Sequence, residues 1–312
     1  MIICCGEALI DMMPRHIDGE GDAFLPIAGG AGFNTAIALG RLGEKTGFVS
    51  GISTDLFGDL LIDALGDSNV SVEYCVRNEQ PTTLAFVKLT NGNAEYSFFD
   101  EKSAGRSLCV SRLPSLPDEV TALYFGAISL IPEPCGTAFE TILNLHYKTK
   151  VISLDPNIRK SFITDATAHR QRIERMIARA DIVKVSDEDL DWITSGEDRV
   201  RTIKTWIDQG TKIVLLTEGA NGVTVYTGSG ECHQPARTVE VKDTIGAGDT
   251  FNSGLLAGLN ERGVLTKSAL SKLNTHDLQH ALQLATDAAA FTVSQAGANP
   301  PLRTQLSALA DW

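Results

Sequence analysis

Short apolar runs, each closed by glycine or a polar cluster, alternate along the chain with stretches that place an apolar residue every third or fourth position. Ile2–Cys5 (IICC), ending at Gly6, predicts a buried first strand. Ile27 to Gly43 (IAGGAGFNTAIALGRLG) predicts a helix with Phe33, Ile37, Ala38 and Leu42 on one face, entered through Gly29 and Gly30. KTGFVSGIS (45–53) reads as a second strand, Asp55–Leu65 as a helix and Val70–Val76 as a further strand. Thr82–Leu89 and Ala94–Phe99 alternate about Asn91-Gly92-Asn93, a hairpin signal. Ala122–Ile128, Val151–Arg159, Ala180–Val185 and Lys212–Thr217 predict buried strands, with a helix over Gly136–His146. Glu218, Gly219, Asn221 and Gly222 turn the chain into a hairpin with 223–226. Val239 and Val241 alternate with Glu240 and Lys242 as the end of a strand, and the pattern is helical from Asp249 through Phe251, Leu255, Leu256 and Leu259. A last, alanine-rich helix covers Leu278–Val293. This alternation predicts an α/β fold, a mainly parallel central sheet flanked by helices.

Composition narrows the function classes. The 312 residues suit one large α/β domain or two ordinary ones, and no repeat, low-complexity segment or long linker divides them. A net charge of −12 argues against nucleic acid, whose backbone needs clustered Lys and Arg, but leaves room for a local phosphate site. Six scattered cysteines form no CxxC pair and read as reduced thiols of a cytoplasmic protein. The N-terminus lacks a basic region and meets Glu7 and Asp11 early, unlike a signal peptide, and no apolar run approaches a membrane span.

The chemistry concentrates in Val239–Gly254 (VEVKDTIGAGDTFNSG). Strand, small-residue turn and helix in that order aim several backbone N–H groups at one spot, which attracts anions. Small residues at Gly246, Ala247 and Gly248 let a phosphate approach the backbone. Asp249, in the first helical turn, is an odd neighbour for a phosphate unless it takes a proton from an attacking hydroxyl. Asp11 is either a turn carboxylate or an acceptor for two hydroxyls of a polyol. Asp155, Pro156, Asn157 and Arg159 lie past the end of a buried strand, where open parallel sheets bind ligands. No GxxxxGK[ST] occurs, and the glycines near the N-terminus lack the strand and ribose acid of a dinucleotide fingerprint.

DTIGAGDTF (243–251) resembles the DTxGAGD signature of the PfkB, or ribokinase-like, carbohydrate kinases, and the resemblance spans nearly the whole chain. GG-x-x-x-N at Gly29, Gly30 and Asn34 is similar to the N-terminal signature of that family, and DPN-x-R at Asp155–Arg159 to its central segment. The resemblance implies one ribokinase-like domain over 1–312, with a small β-sheet lid from segments of about 12–26 and 82–101. It implies ATP-dependent phosphorylation of a sugar hydroxyl, with Asp249 as base and the N–H groups of Gly246, Ala247, Gly248 and Asp249 cradling the phosphoryl group. Asp11, Gly29, Gly30, Asn34, Phe98, Asn157 and Arg159 would face the sugar, Arg159 also the transferred group. Ser186, Thr217, Gly219, Gly222, Thr244, Gly246 and Gly248 would line the nucleotide. Ser186 and Asp189 replace the usual Asn and Glu of N-x-x-E, and Asp189 would act on Mg²⁺ through water. A monovalent cation such as K⁺ is implied near Asp243, Ile245 and Gly297, with Pro301 a departure. GEALID, DPNIR and KVSDEDL look most like fructokinases; ribokinase, 2-keto-3-deoxygluconate kinase and aminoimidazole riboside kinase use the same frame. A silent sugar-binding regulator would have lost Asp249 or the glycines, which this chain keeps. An exposed lid edge suits a homodimer.

Overall fold

The strand Ile2–Cys5 (β1) alternates between two cores: Ile2 and Cys4 face one, Ile3 and Cys5 the other. That double burial belongs to the middle of a parallel sheet with helices on both faces. The computed structural model describes residues 1–19, 21–90 and 93–308. After β1 come β2 (Leu9–Ile17), β3 (Gly21–Gly29), α1 (Ala31–Arg41), β4 (Thr46–Val49), β5 (Gly51–Ser53), α2 (Leu56–Asp67), β6 (Val70–Ser71), β7 (Val76–Asn78), β8 (Leu84–Thr90) and β9 (Asn93–Phe99). The second half holds β10 (Ala122–Gly126), α3 (Cys135–His146), β11 (Val151–Asp155), α4 (Ala166–Ile177), β12 (Ile182–Ser186), α5 (Asp187–Thr194), α6 (Arg199–Gln209) and β13 (Ile213–Thr217). The hairpin β14 (Val223–Thr227) and β15 (Gly230–Gln234) precedes α7 (Ala247–Glu261), α8 (Lys267–Leu270), α9 (Thr275–Val293) and α10 (Arg303–Ala308).

The large sheet has nine strands in the order β15-β14-β13-β12-β11-β10-β1-β4-β6, all running in one direction except β14, which is antiparallel to both neighbours. From β1 the chain winds one way through β4 to β6; from β10 it winds the other way to β13. The crevice beyond the C-terminal ends of β1 and β10 is therefore a topological switch point, where such sheets bind ligands. On one face α1, α2, α7 and α9 cover the sheet; on the other, α3, α4, α5 and α6. Helices α7 and α9 approach closely because Gly254 and Gly258 stand against Ala285 and Ala281, where an added Cβ would meet backbone at 2.6 and 2.5 Å. A separate four-stranded sheet, ordered β3-β2-β8-β9, stands on that same edge, joined to the main body through Gly6–Ala8 and Gly29–Gly30.

Three sequence expectations need correction. Residues 45–53 are not one strand: Thr46–Val49 joins the large sheet, whereas Gly51–Ser53 pairs with Val76–Asn78. Val70–Val76 is likewise split, with only Val70 and Ser71 pairing to β4. Val239–Lys242 is not a strand; Val241 is exposed, and the Lys242 and Asp243 N–H groups both donate to the Val293 carbonyl at the end of α9. The segment leaves the edge strand β15 without pairing to it and runs back to the end of α9, where its N–H groups find their acceptor. The hairpin of β8 and β9 pairs Leu84 with Phe99, while Asn91 and Gly92 of its turn lie outside the described residues.

Candidate active site

Asp249 sits in the first turn of α7 and is buried. Its Oδ2 accepts a 2.9 Å hydrogen bond from Asn34 Nδ2 on α1. The two helices are locked at this level by Ser253, whose single hydroxyl proton is shared between the carbonyls of Thr35 at 2.9 Å and Asp249 at 2.8 Å. Desolvation, the largest effect, pushes the Asp249 carboxyl up to about 7. The Asn34 hydrogen bond and Lys184 oppose it, whereas Asp155 and Glu7 reinforce it.

The turn before Asp249 has the geometry of an anion site. Gly246 caps α7 at φ 77, a conformation glycine adopts without strain, and a Cβ there would stand 2.7 Å from that of Ala298. The N–H groups of Gly246, Gly248 and Asp249 make no hydrogen bond among the described residues; that of Ala247 donates to the Thr244 carbonyl at a long 3.3 Å. These free donors and the helix dipole point the same way. Thr244 lies exposed at the entry to the turn. Asp243 ties the loop together, accepting from the N–H of Ile245 with one oxygen and that of Gly297 with the other, both at 3.0 Å.

Asp11 on β2 faces the glycine pair: a Cβ on Gly29 would come within 2.6 Å of its Oδ2. Burial pushes the Asp11 carboxyl up to about 6. Gly30 reaches φ 110 and packs on the Glu7 carbonyl, leaving no room for a side chain. Glu7 then fixes the loop, accepting from the N–H groups of Ala31 at 2.8 Å and Ser129 at 3.2 Å. It thereby joins the glycine pair to the segment after β10, across the switch point.

Beyond β11, Asn157 is held at φ 42 and Ala127, beyond β10, at φ 61; such left-handed backbone in non-glycine residues gathers where a site is shaped. Arg159 is exposed; its guanidinium donates to the carbonyl of Ile158 and forms no ion pair among the described residues. The structure does not bring it to Asp249. Phe98 on β9 meets the Phe162 ring at 4.3 Å between centroids, linking the small sheet to the segment after β11. Ser186 caps α5, its hydroxyl accepting from the Asp189 N–H, and the buried Asp189 accepts from the Ile158 N–H at 3.0 Å. Burial, then Asp155, raises the Asp189 carboxyl above the usual carboxylate range. Thr217 ends β13 beside Ser186, its hydroxyl 3.4 Å from the Val185 carbonyl, and Gly219 and Gly222 bracket the next turn. No group of three or more His, Cys, Asp or Glu among the described residues could hold a metal by itself. The donor set instead suits a hydrated hard cation carried chiefly by a ligand's own phosphates.

Sequence reasoning passed over four residues here: Glu7, Tyr124, Lys184 and Asn252. Lys184 had a usable signal, a cation inside the buried run IVKV, since buried lysines are rare unless paired. Asn252 and Tyr124 had none, because each looks like an ordinary core-facing position.

A profile of the pfkB family carbohydrate kinases matches residues 1–305. The chain is similar to a fructokinase of Rhizobium leguminosarum bv. trifolii, 49% identical over 280 residues covering 90% of this chain and 86% of the relative. It is also similar to probable fructokinase-6, chloroplastic, of Arabidopsis thaliana, 35% identical over 97% of this chain and 80% of the relative. Among solved structures, fructokinase with bound ATP from Xylella fastidiosa superposes with a TM-score of 0.90 at 27% identity, covering 100% of this chain and 99% of that one.

Proposed function

The chain belongs to the pfkB family of carbohydrate kinases, and from that premise we propose that it uses ATP to phosphorylate fructose at a primary hydroxyl, giving fructose 6-phosphate. The fold is ribokinase-like. One observation carries the mechanism: a buried carboxylate, Asp249, stands at a turn in which the N–H groups of Gly246, Gly248 and Asp249 are unpaired among the described residues, and is held there by Asn34. Asp249 takes the proton of the acceptor hydroxyl. The N–H groups at Gly246–Asp249 hold the charge that builds on the transferred group, and positioning with charge stabilisation is most of what phosphoryl transfer requires.

Asp11, Gly29, Gly30, Asn34 and Asn157 hold the sugar, and Arg159 swings in from the surface toward the transferred group. Ser186, Thr217, Gly219, Gly222 and Thr244 line the nucleotide. ATP is the phosphoryl donor; Asp189 would order the water of a divalent ion, which we assign as Mg²⁺ and which would screen the charge of the phosphates. The loop held by Asp243 and Gly297 would seat a monovalent cation. The chain works as a single domain, cytoplasmic in location. The small sheet, including 12–26 and 82–101, closes as a lid with Phe98 over the sugar, excluding water that would compete as acceptor. The outer side of that lid carries the exposed Phe24 and Phe99, which suits pairing with a second copy.

An ADP-release assay across fructose, ribose, 2-keto-3-deoxygluconate, adenosine and tagatose tests the reading. Fructose should give the highest kcat/KM, by at least about tenfold, the scale set by one or two altered pocket contacts. A higher value with another acceptor moves the chain to that branch of the family. Sugar binding with no ADP release would mark a silent regulator.

A further inference from the structure

Lys184 occupies the middle of β12, between Val183 and Val185, and its side chain is only 9% exposed. An ammonium so placed needs a partner, and Asp155 at the end of neighbouring β11 supplies one at 2.7 Å. The same Asp155 oxygen accepts from Asn252 Nδ2 at 2.7 Å, and Asn252 lies one turn beyond Asp249 on α7. Asp155 Oδ1 is buried with no hydrogen bond among the described residues, so part of its charge stays uncompensated toward its neighbours. A Cβ built on Gly248 would stand 3.4 Å from Lys184 Nζ, which places the ammonium against the backbone of the amide turn.

The groups acting on Asp249 come from the elements around it, Asn34 from α1, Glu7 from the loop after β1, Asp155 from β11 and Lys184 from β12, while the Tyr124 phenol of β10 is itself held protonated by burial and in part by the Asp249 charge. Lys184 is the one cation in that set. We propose that Lys184 is a positioning residue of the phosphoryl site: clamped by Asp155 and Asn252 beneath Gly248, its ammonium sets the charge state of Asp249 and holds the floor of the amide turn. This rests on Asp249 being the base. The couple works as a counterweight: Asp155 strengthens the hold of Asp249 on its proton, and Lys184 loosens it. A nearby charge of either sign moves a carboxylate by about 1 or more on the pH axis.

The test is the pH dependence of kcat/KM for fructose at saturating ATP, in the wild type and in Lys184→Met, Asp155→Asn and the uncharged double variant. The acid limb should move up by about 1 in Lys184→Met, leaving activity about tenfold lower a full pH unit below the wild-type limb. It should move down in Asp155→Asn and return near the wild-type position in the double variant. A purely structural couple would lower rates without displacing the limbs in opposite directions. Limbs that stay put, or move together, overturn the proposal. Should Lys184→Met fail to fold, the downward move in Asp155→Asn and its reversal in the double variant decide alone. Turnover retained in Asp249→Asn overturns the base assignment and this inference with it; loss of turnover there with unmoved limbs elsewhere overturns only the role of Lys184.

Discussion

Asp249 meets two opposed demands. As a base it must be ionised, and as a buried group it resists ionisation, with its carboxyl pushed up to about 7 by desolvation first. Activity should therefore be lost as pH falls through about 7, because the protonated form cannot accept the hydroxyl proton; a kcat/KM profile flat from pH 5 to 8 would contradict this. Asp249→Asn keeps the shape and the Asn34 contact but removes the base. It should lower kcat about 10²- to 10⁴-fold with little change in sugar affinity, as read by steady-state kinetics and calorimetry. Stability runs the other way. The folded value lies above the unfolded one near 4, so this group's contribution to the stability of the ligand-free protein is full below about 4, is lost as pH rises toward about 7 and is level beyond. Asp249→Asn should therefore melt higher than the wild type at pH 8 and alike at pH 4. Equal melting temperatures at both would show that burial exacts no such penalty. Asp249 itself was legible from DTIGAGD, whereas its partner Asn34, 215 positions away, could be named only as a sugar contact.

At the scale of elements, the N-terminal turn of α7 depends on Gly246. An alanine there must hold φ near 77 and fit against Ala298, at a cost of about 1–2 kcal/mol of strain. Relief by tilting the turn would misaim its N–H groups. Gly246→Ala should raise KM for ATP and depress kcat while leaving fructose binding near its wild-type value; unchanged kinetics would mean that the turn is not the phosphate cradle. Helix α5 makes a separate case. Because the Ser186 hydroxyl caps it, Ser186→Ala should cost about 1 kcal/mol, seen as a lower denaturant midpoint at constant m-value. The central strands β1, β10, β11 and β13 were readable as short, mostly apolar runs. The breaks at Ser50 and after Ser71 were not, because the same β pattern served two different sheets, and the choice between them came from neighbours far along the chain.

On the scale of the whole molecule, one face of the small sheet presents Phe24 and Phe99 to solvent, and Phe86 packs edge-on against both. Pairing two copies through that face should give a dimer by light scattering, and Phe24→Asp should return it to a monomer with its melting temperature nearly unchanged. A wild-type monomer at micromolar concentration would exclude the lid as a stable interface.

The sequence by itself determined the parts that depend on near neighbours: which runs become buried strands, which turn can free its amides, and which acid stands beside them. Alternation and helical spacing act over a few residues, so one chain suffices to read them. Only the tertiary structure decided what those parts do to one another. Asn34 reached Asp249, Glu7 joined Gly30's loop to the end of β10, and Lys184 met Asp155 beneath Gly248, all across long stretches of chain. The proton affinity of a buried acid follows from the water removed and the charges brought near, and both are properties of the packed fold rather than of any segment.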